Sequence, residues 1–168
     1  MTLVTEMLPY LLAFGSGLLV KTVDWLDDER KSKNPIKYFL ALCYGTLIGY
    51  IMGTTSFSLL FLAALVAQVF ARKIDTPAHL LGFVASALSV FFFGFPSIEP
   101  VLFAYFLILA FLDEVDYIGQ LRPLTIYRPF LKIGTIIFLF VGRVDYFIAI
   151  LAFDAGYEIF AFVKKHIK

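Results

Sequence analysis

The sequence predicts an all-α, polytopic transmembrane helical bundle of seven short helices, with six as the alternative count, and three observations carry that prediction. Hydrophobic residues make up 61% of the chain and mean hydropathy is +0.88. With 20 Phe and 9 Tyr, this is more apolar surface than one small soluble core hides, so much of it must face hydrocarbon. Proline stands at or just before the apolar runs, where its missing amide costs nothing and its fixed φ suits a first helical turn. Lysine and arginine gather in alternate connections, as multi-pass proteins require.

Taken in order, the segments run from 9 to 26, 35 to 53, 56 to 71, 77 to 95, 98 to 117, 129 to 141 and 144 to 164. Pro9, Pro35, Pro77, Pro96 or Pro100, and Pro129 mark starts, and Asn34 and Thr76 precede two of them as N-caps. The amino terminus lacks a basic region and a small-residue cleavage site, so the first apolar run is read as a retained helix. Most segments sit near the lower end of the ~17 to 25 residues that cross hydrocarbon. The sixth, at ~1.5 Å per residue, reaches only about 20 Å and reads as a half-helix or re-entrant segment; in the six-span alternative, 129 to 164 form one bent pair. Residues 1–168 form a single transmembrane domain, with no soluble domain expected.

Seven spans place Arg30, Lys31, Lys33, Lys37, Arg72, Lys73, Arg122, Arg128, Lys132, Lys164, Lys165 and Lys168 on one side, leaving Lys21 and Arg143 elsewhere. That side is expected to be cytoplasmic, with the N-terminus outside, the C-terminus inside and the protein in the cell membrane. Gly45, Gly49 and Gly53 recur every fourth residue, as do Ala63, Ala67 and Ala71. Such ridges serve close helix packing, either within the bundle or in a homo-oligomer. Cys43 is the lone cysteine, which leaves no internal disulfide and no thiolate cluster. Nothing in the composition points to nucleic acid.

Chemistry is expected where carboxylates share a helical face. Asp24, Asp27 and Asp28 stand at i, i+3 and i+4, Asp113 and Asp116 at i and i+3, and Asp154 and Glu158 at i and i+4. Together they would offer oxygen ligands to a hard divalent cation, magnesium (Mg2+) first. Arg72, Lys73, Arg128 and Lys132, with Arg122, lie in the same inner layer and would take phosphate oxygens. Lys21, Asp75 and His79 are further polar groups there, and mid-helix Asp154 needs a partner from another helix. In the bland reading the charges simply pair, Lys21 with Asp24 and Arg72 with Asp75.

The stretches from Asp24 to Glu29 and from Asp113 to Asp116 resemble the aspartate-rich segments of membrane prenyltransferases. The asparagine-containing first motif of that family is missing, and no signature assigns the chain to a family. Three functions are therefore carried forward. One is a magnesium-dependent enzyme, such as a transferase, acting on a lipid or polyprenyl phosphate at the inner leaflet of the bilayer. Another is a cation or proton transporter or channel that uses intramembrane carboxylates. The third is a non-catalytic membrane subunit. A sideways-opening cavity with acids and bases on its walls favours the first; a continuous polar route favours the second.

Overall fold

The structure, a computed structural model, describes residues 3–29 and 33–166, with side chains for residues 6–27 and 33–163. Asp28, Arg30, Lys31, Lys164, Lys165 and Lys168 lie outside the described side chains. Every regular element among the described residues is helical: α1 (Leu3–Asp24), α2 (Ile36–Thr54), α3 (Ser58–Phe70), α4 (Pro77–Phe93), α5 (Pro100–Glu114), α6 (Arg122–Tyr127), α7 (Pro129–Ile136) and α8 (Val144–His166). A π-helical turn, Trp25–Glu29, follows α1, and a 3-10 stretch, Ile137–Val141, continues α7.

Proline does open α4, α5 and α7. Thr76 caps α4 by accepting from the His79 amide at 3.3 Å, and Asn34 accepts from the Ile36 amide at 3.0 Å. Three boundaries differ from expectation. Pro9 lies inside α1, not at its start. The fifth helix ends at Glu114, short of residue 117, and α6 is an additional short helix. Two helices, Ile36–Thr54 and Val144–Val163, are long and apolar enough to cross a membrane. The count becomes three if Gly119–Tyr127 and Pro129–Val141, bent by 63°, form one span.

Helix packing is dominated by two close pairs, α1 with α8 and α2 with α4; α3 packs on α5, and α7 on α5 and α8. Both close pairs depend on small residues. A Cβ at Gly17 would stand 2.0 Å from the Phe153 carbonyl oxygen, and one at Gly156 would stand 2.0 Å from that of Phe14. The glycine ridge of α2 is used in the same way: a Cβ at Gly45 would meet the Gly82 oxygen at 2.3 Å, and one at Gly49 the Ser89 Cβ at 2.3 Å. The ridge therefore packs within the chain.

Opposite the charged end of the bundle, aromatic side chains fill the core. Tyr10 stacks on Phe57, which meets Phe61, which meets Phe153 edge to face. Phe106, Phe138 and Tyr146 form a second cluster, with ring centroids 5.0 to 5.4 Å apart. Offset and tilted ring contacts of this kind add about 0.5–1.5 kcal/mol each beyond area burial.

The α1–α8 contact makes a sharp prediction. Gly17→Ala and Gly156→Ala should each destabilise by about 1–3 kcal/mol or more, because the new methyl meets backbone that cannot yield. Gly15→Ala, two residues from Gly17 and open within 4 Å, should be neutral or stabilising by up to ~1 kcal/mol through helix propensity. Thermal unfolding in detergent micelles distinguishes them, and equal midpoints for all three variants would refute the close approach.

Candidate functional site

At the charged end, α1, α2, α3, α4, α5, α7 and α8 enclose a cavity of about 420 Å3, within the range of small-molecule sites. Its rim carries Lys21, Asp24, Lys73, Asp75, His79, Asp113, Glu114, Arg128, Lys132, Asp154, Tyr157 and Glu158. Its floor is apolar: Val20, Ile48, Leu60, Phe61, Ala64, Leu65, Phe83, Ala110, Leu131, Ile150 and Phe153. Most residues anticipated for a site thus meet at one cavity.

Their partners decide what they can do. The Tyr157 hydroxyl donates to Asp24 Oδ2 at 2.9 Å and accepts from Lys21 Nζ at 3.1 Å. The other Asp24 oxygen lies 3.3 Å from His79 Nε2. His79 Nδ1 is 3.5 Å from the Tyr44 hydroxyl, at the outer limit of a hydrogen bond. One polar chain therefore runs through α1, α8, α4 and α2. Lys132 pairs with Asp154 at 2.8 Å and Arg128 with Glu114 at 3.4 Å. Asp75 and Glu158 are exposed at the mouth.

Arg128 adopts φ 43 and ψ 63, a left-handed conformation between α6 and α7 that favours glycine. An arginine held there puts its guanidinium 5.7 Å from the centre of the Tyr157 ring and onto the cavity wall. Strained non-glycine residues of this kind concentrate at functional sites. Arg72, the other left-handed arginine, has a different role. The Lys73 amide bonds the Gln68 carbonyl at 3.0 Å and the Arg72 amide bonds that of Val69 at 3.1 Å, the Schellman closure of a helix end. Arg72 itself is exposed and off the cavity, and Arg122 is exposed as well.

The carboxylates do not gather as three facing sets. Asp27 turns away from the cavity to pair with Lys37 across the α1–α2 connection. The intervening π turn is the reason, since its wider i→i+5 winding removes the shared face that i, i+3 spacing gives on an α-helix. Asp116 lies beyond the end of α5 and is exposed, holding Lys73 through both oxygens at 2.8 Å. Asp113 is 4% exposed and accepts the amides of Phe130 and Leu131, each at 2.8 Å. It thereby caps α7, whose N-terminal amides lack intrahelical partners. Asp154 and Glu158, on regular helix, do reach the same cavity. Among the described residues no three His, Cys, Asp or Glu side chains converge as a metal site, so the expectation of magnesium gains no support from their placement.

Tyr157, Glu114 and Tyr44 were not anticipated. Glu114 had a signal, an acid adjoining Asp113 at the end of an apolar run. Tyr157, in the body of α8, reads like one more aromatic of an apolar helix, and only its two polar partners set it apart. Comparisons with protein families, curated proteins and solved structures return no match.

Two stability predictions follow from the acids. Asp113→Ala should cost about 1–2 kcal/mol by removing the cap of α7; an unchanged urea midpoint would refute that role. For Asp27, burial raises the carboxyl and the hydrogen bond and charge of Lys37 lower it, leaving it below its ordinary value. A depressed folded pKa stabilises above the unfolded value of about 3.9 and loses that contribution as pH falls through the lower folded value. The wild-type advantage over Asp27→Asn should therefore be full at neutral pH and vanish in acid; an advantage independent of pH would refute the pairing.

Proposed function

We propose that the chain is a polytopic protein of the cell membrane that binds a lipid or polyprenyl phosphate from the cytoplasmic leaflet and acts on it as an enzyme. One observation carries the reading: a single cavity has a rim of bases and acids and a floor of hydrocarbon side chains, which suits an anionic head on an apolar chain. The reading takes the seven segments as membrane-embedded, with the short ones tilted, re-entrant or in thinned bilayer. The basic connections lie inside. Outward-facing Phe92, Val101 and Phe140, 84 to 87% exposed, are reasonable only against lipid or a partner.

In this reading Arg128 and Lys132 neutralise the phosphate, their acid partners Glu114 and Asp154 holding them in place until it arrives. Asp24 orients His79 through Nε2, which leaves Nδ1, loosely held by Tyr44, as the atom that gives or takes a proton. Enzyme is preferred over ion path because the Phe57–Phe61–Phe153 and Phe106–Phe138–Tyr146 clusters lie between the cavity and the polar residues of the opposite end.

The test is direct binding of phosphatidic acid and of a polyprenyl phosphate by the purified protein in detergent, with diacylglycerol as the uncharged control. Binding of either phosphate lipid and not of diacylglycerol is expected. Arg128→Gly, combined with Glu114→Gln so that no acid is left unpartnered, should weaken that binding by roughly tenfold or more, the equivalent of one charge-assisted hydrogen bond. Its unfolding midpoint should hold, because glycine suits the left-handed backbone. Failure of the wild-type protein to bind any phosphate lipid would end this reading.

A further inference from the structure

We propose that Lys21 is a further ammonium, beside the acid-paired Arg128 and Lys132, that contacts the phosphate of the bound amphiphile, and that Tyr157 is the positioning residue that keeps it free to do so. This rests on the phosphate-lipid reading above and names the contact within it.

The other cavity lysines and arginine are already matched with acids: Lys73 and Lys132 have carboxylates at 2.8 Å, and Arg128 has one at 3.4 Å. Lys21 has no carboxylate within 4.0 Å among the described residues, although Asp24 follows it by three residues on α1. The phenol explains the separation. Lys21 Nζ lies 4.5 Å from the centre of the Tyr157 ring and donates to its hydroxyl, and the hydroxyl passes its own proton toward Asp24. Acid and base are thus bridged and kept apart. An ammonium has three donors; the phenol takes one, and Lys21 lines the cavity.

Arg128 approaches the same ring at 5.7 Å, so two cations gather about one phenol. Cation–π attraction offsets part of their desolvation, but a charge in a low-dielectric bundle still calls for a counter-ion. An incoming phosphate monoester supplies one. Its head would lie between Lys21 and Arg128, with its chain against Val20, Ile48, Leu60, Phe61 and Phe83 on the floor. A free phosphate would meet the same cations and gain nothing from that floor.

The experiment follows the emission of Trp25, the single tryptophan, four residues from Lys21, while phosphatidic acid, a polyprenyl phosphate or inorganic phosphate is titrated into the protein in detergent. Wild type should bind the lipid phosphates at least tenfold more tightly than inorganic phosphate. Lys21→Gln should weaken lipid-phosphate binding at least tenfold and Lys21→Arg less than threefold. Tyr157→Phe should also weaken it about tenfold, because Lys21 then collapses onto Asp24. Adding Asp24→Asn to Tyr157→Phe should restore most of the loss, a rescue that a merely structural role for Tyr157 would not produce. Binding by wild type with no loss in Lys21→Gln overturns this inference and leaves the phosphate-lipid reading standing. Loss in Tyr157→Phe without rescue overturns the positioning role, and equal affinity for inorganic phosphate overturns the amphiphile. If Lys21→Gln elutes as an aggregate, Lys21→Arg and the rescue pair decide the matter.

Discussion

The backbone contact between α1 and α8 at Gly17 and Gly156 is the constraint on which the site depends. Lys21 lies one helical turn beyond Gly17, Asp24 nearly two turns beyond, and Tyr157 directly follows Gly156. Parallel helices touching at their backbones bring the phenol within hydrogen-bond distance of both side chains. A methyl at either glycine would separate the helices by more than those bonds can stretch. In the proposed membrane setting there is little hydrophobic drive between helices, so close packing and interhelical hydrogen bonds would hold them. Here the packing contact and the polar contacts are neighbours on the same pair of helices.

The cavity follows from how the two close pairs differ from the rest of the bundle. Small residues draw α1 to α8 and α2 to α4 until a Cβ would meet backbone, whereas α3, α5 and α7 bury Leu60, Phe61, Phe106 and Leu131 among their smaller residues, and Gly134 on α7 faces only the Leu109 and Tyr105 side chains. Large side chains fill the space between these layers at one end, where the aromatic clusters sit. At the other end the sequence supplies charged and polar residues whose heads seek partners at the rim. Asp113 contributes by construction more than by chemistry: its hold on the Phe130 and Leu131 amides fixes the start of α7, and so places Lys132 and Arg128 on the cavity wall.

Much of this was legible in the sequence, and the exceptions have physical causes. Pro77, Pro100 and Pro129 announce helix starts because a first turn can spare an amide. Pro9 misleads because the preceding residues, including Leu3 and Val4, continue the helix ahead of it. The end of α5 was hidden because Val115 and Tyr117 prolong the apolar run. The chain turns there where the Thr125 hydroxyl takes up the Tyr117 amide at 2.8 Å, a partner eight residues away. The pair Asp154 and Glu158 was readable because regular helix preserves i, i+4 spacing. Asp24 and Asp27 were not, since a π turn intervenes. Pairing across helices, such as Tyr157 with Asp24, has no local signature at all.

The two ends of the bundle use similar residues and provide an internal comparison. At the end away from the cavity, Arg143 donates through Nε and Nη2 to the two Asp145 oxygens, Nη2 also reaches the Ser56 carbonyl, and the Ser56 hydroxyl donates to Asp145 at 2.6 Å. The guanidinium lies 4.5 Å over the Tyr146 ring. Each of these groups is answered by another within the ring, which joins the α2–α3 turn to the start of α8 as a structural latch. At the cavity, by contrast, the polar chain from Lys21 to Tyr44 begins on an ammonium with donors to spare and ends on a contact at the limit of hydrogen bonding. Charges that only lock helices together have no need of 420 Å3 of space beside them. In the proposed reading, the network left open toward that space is completed by the phosphate that enters it.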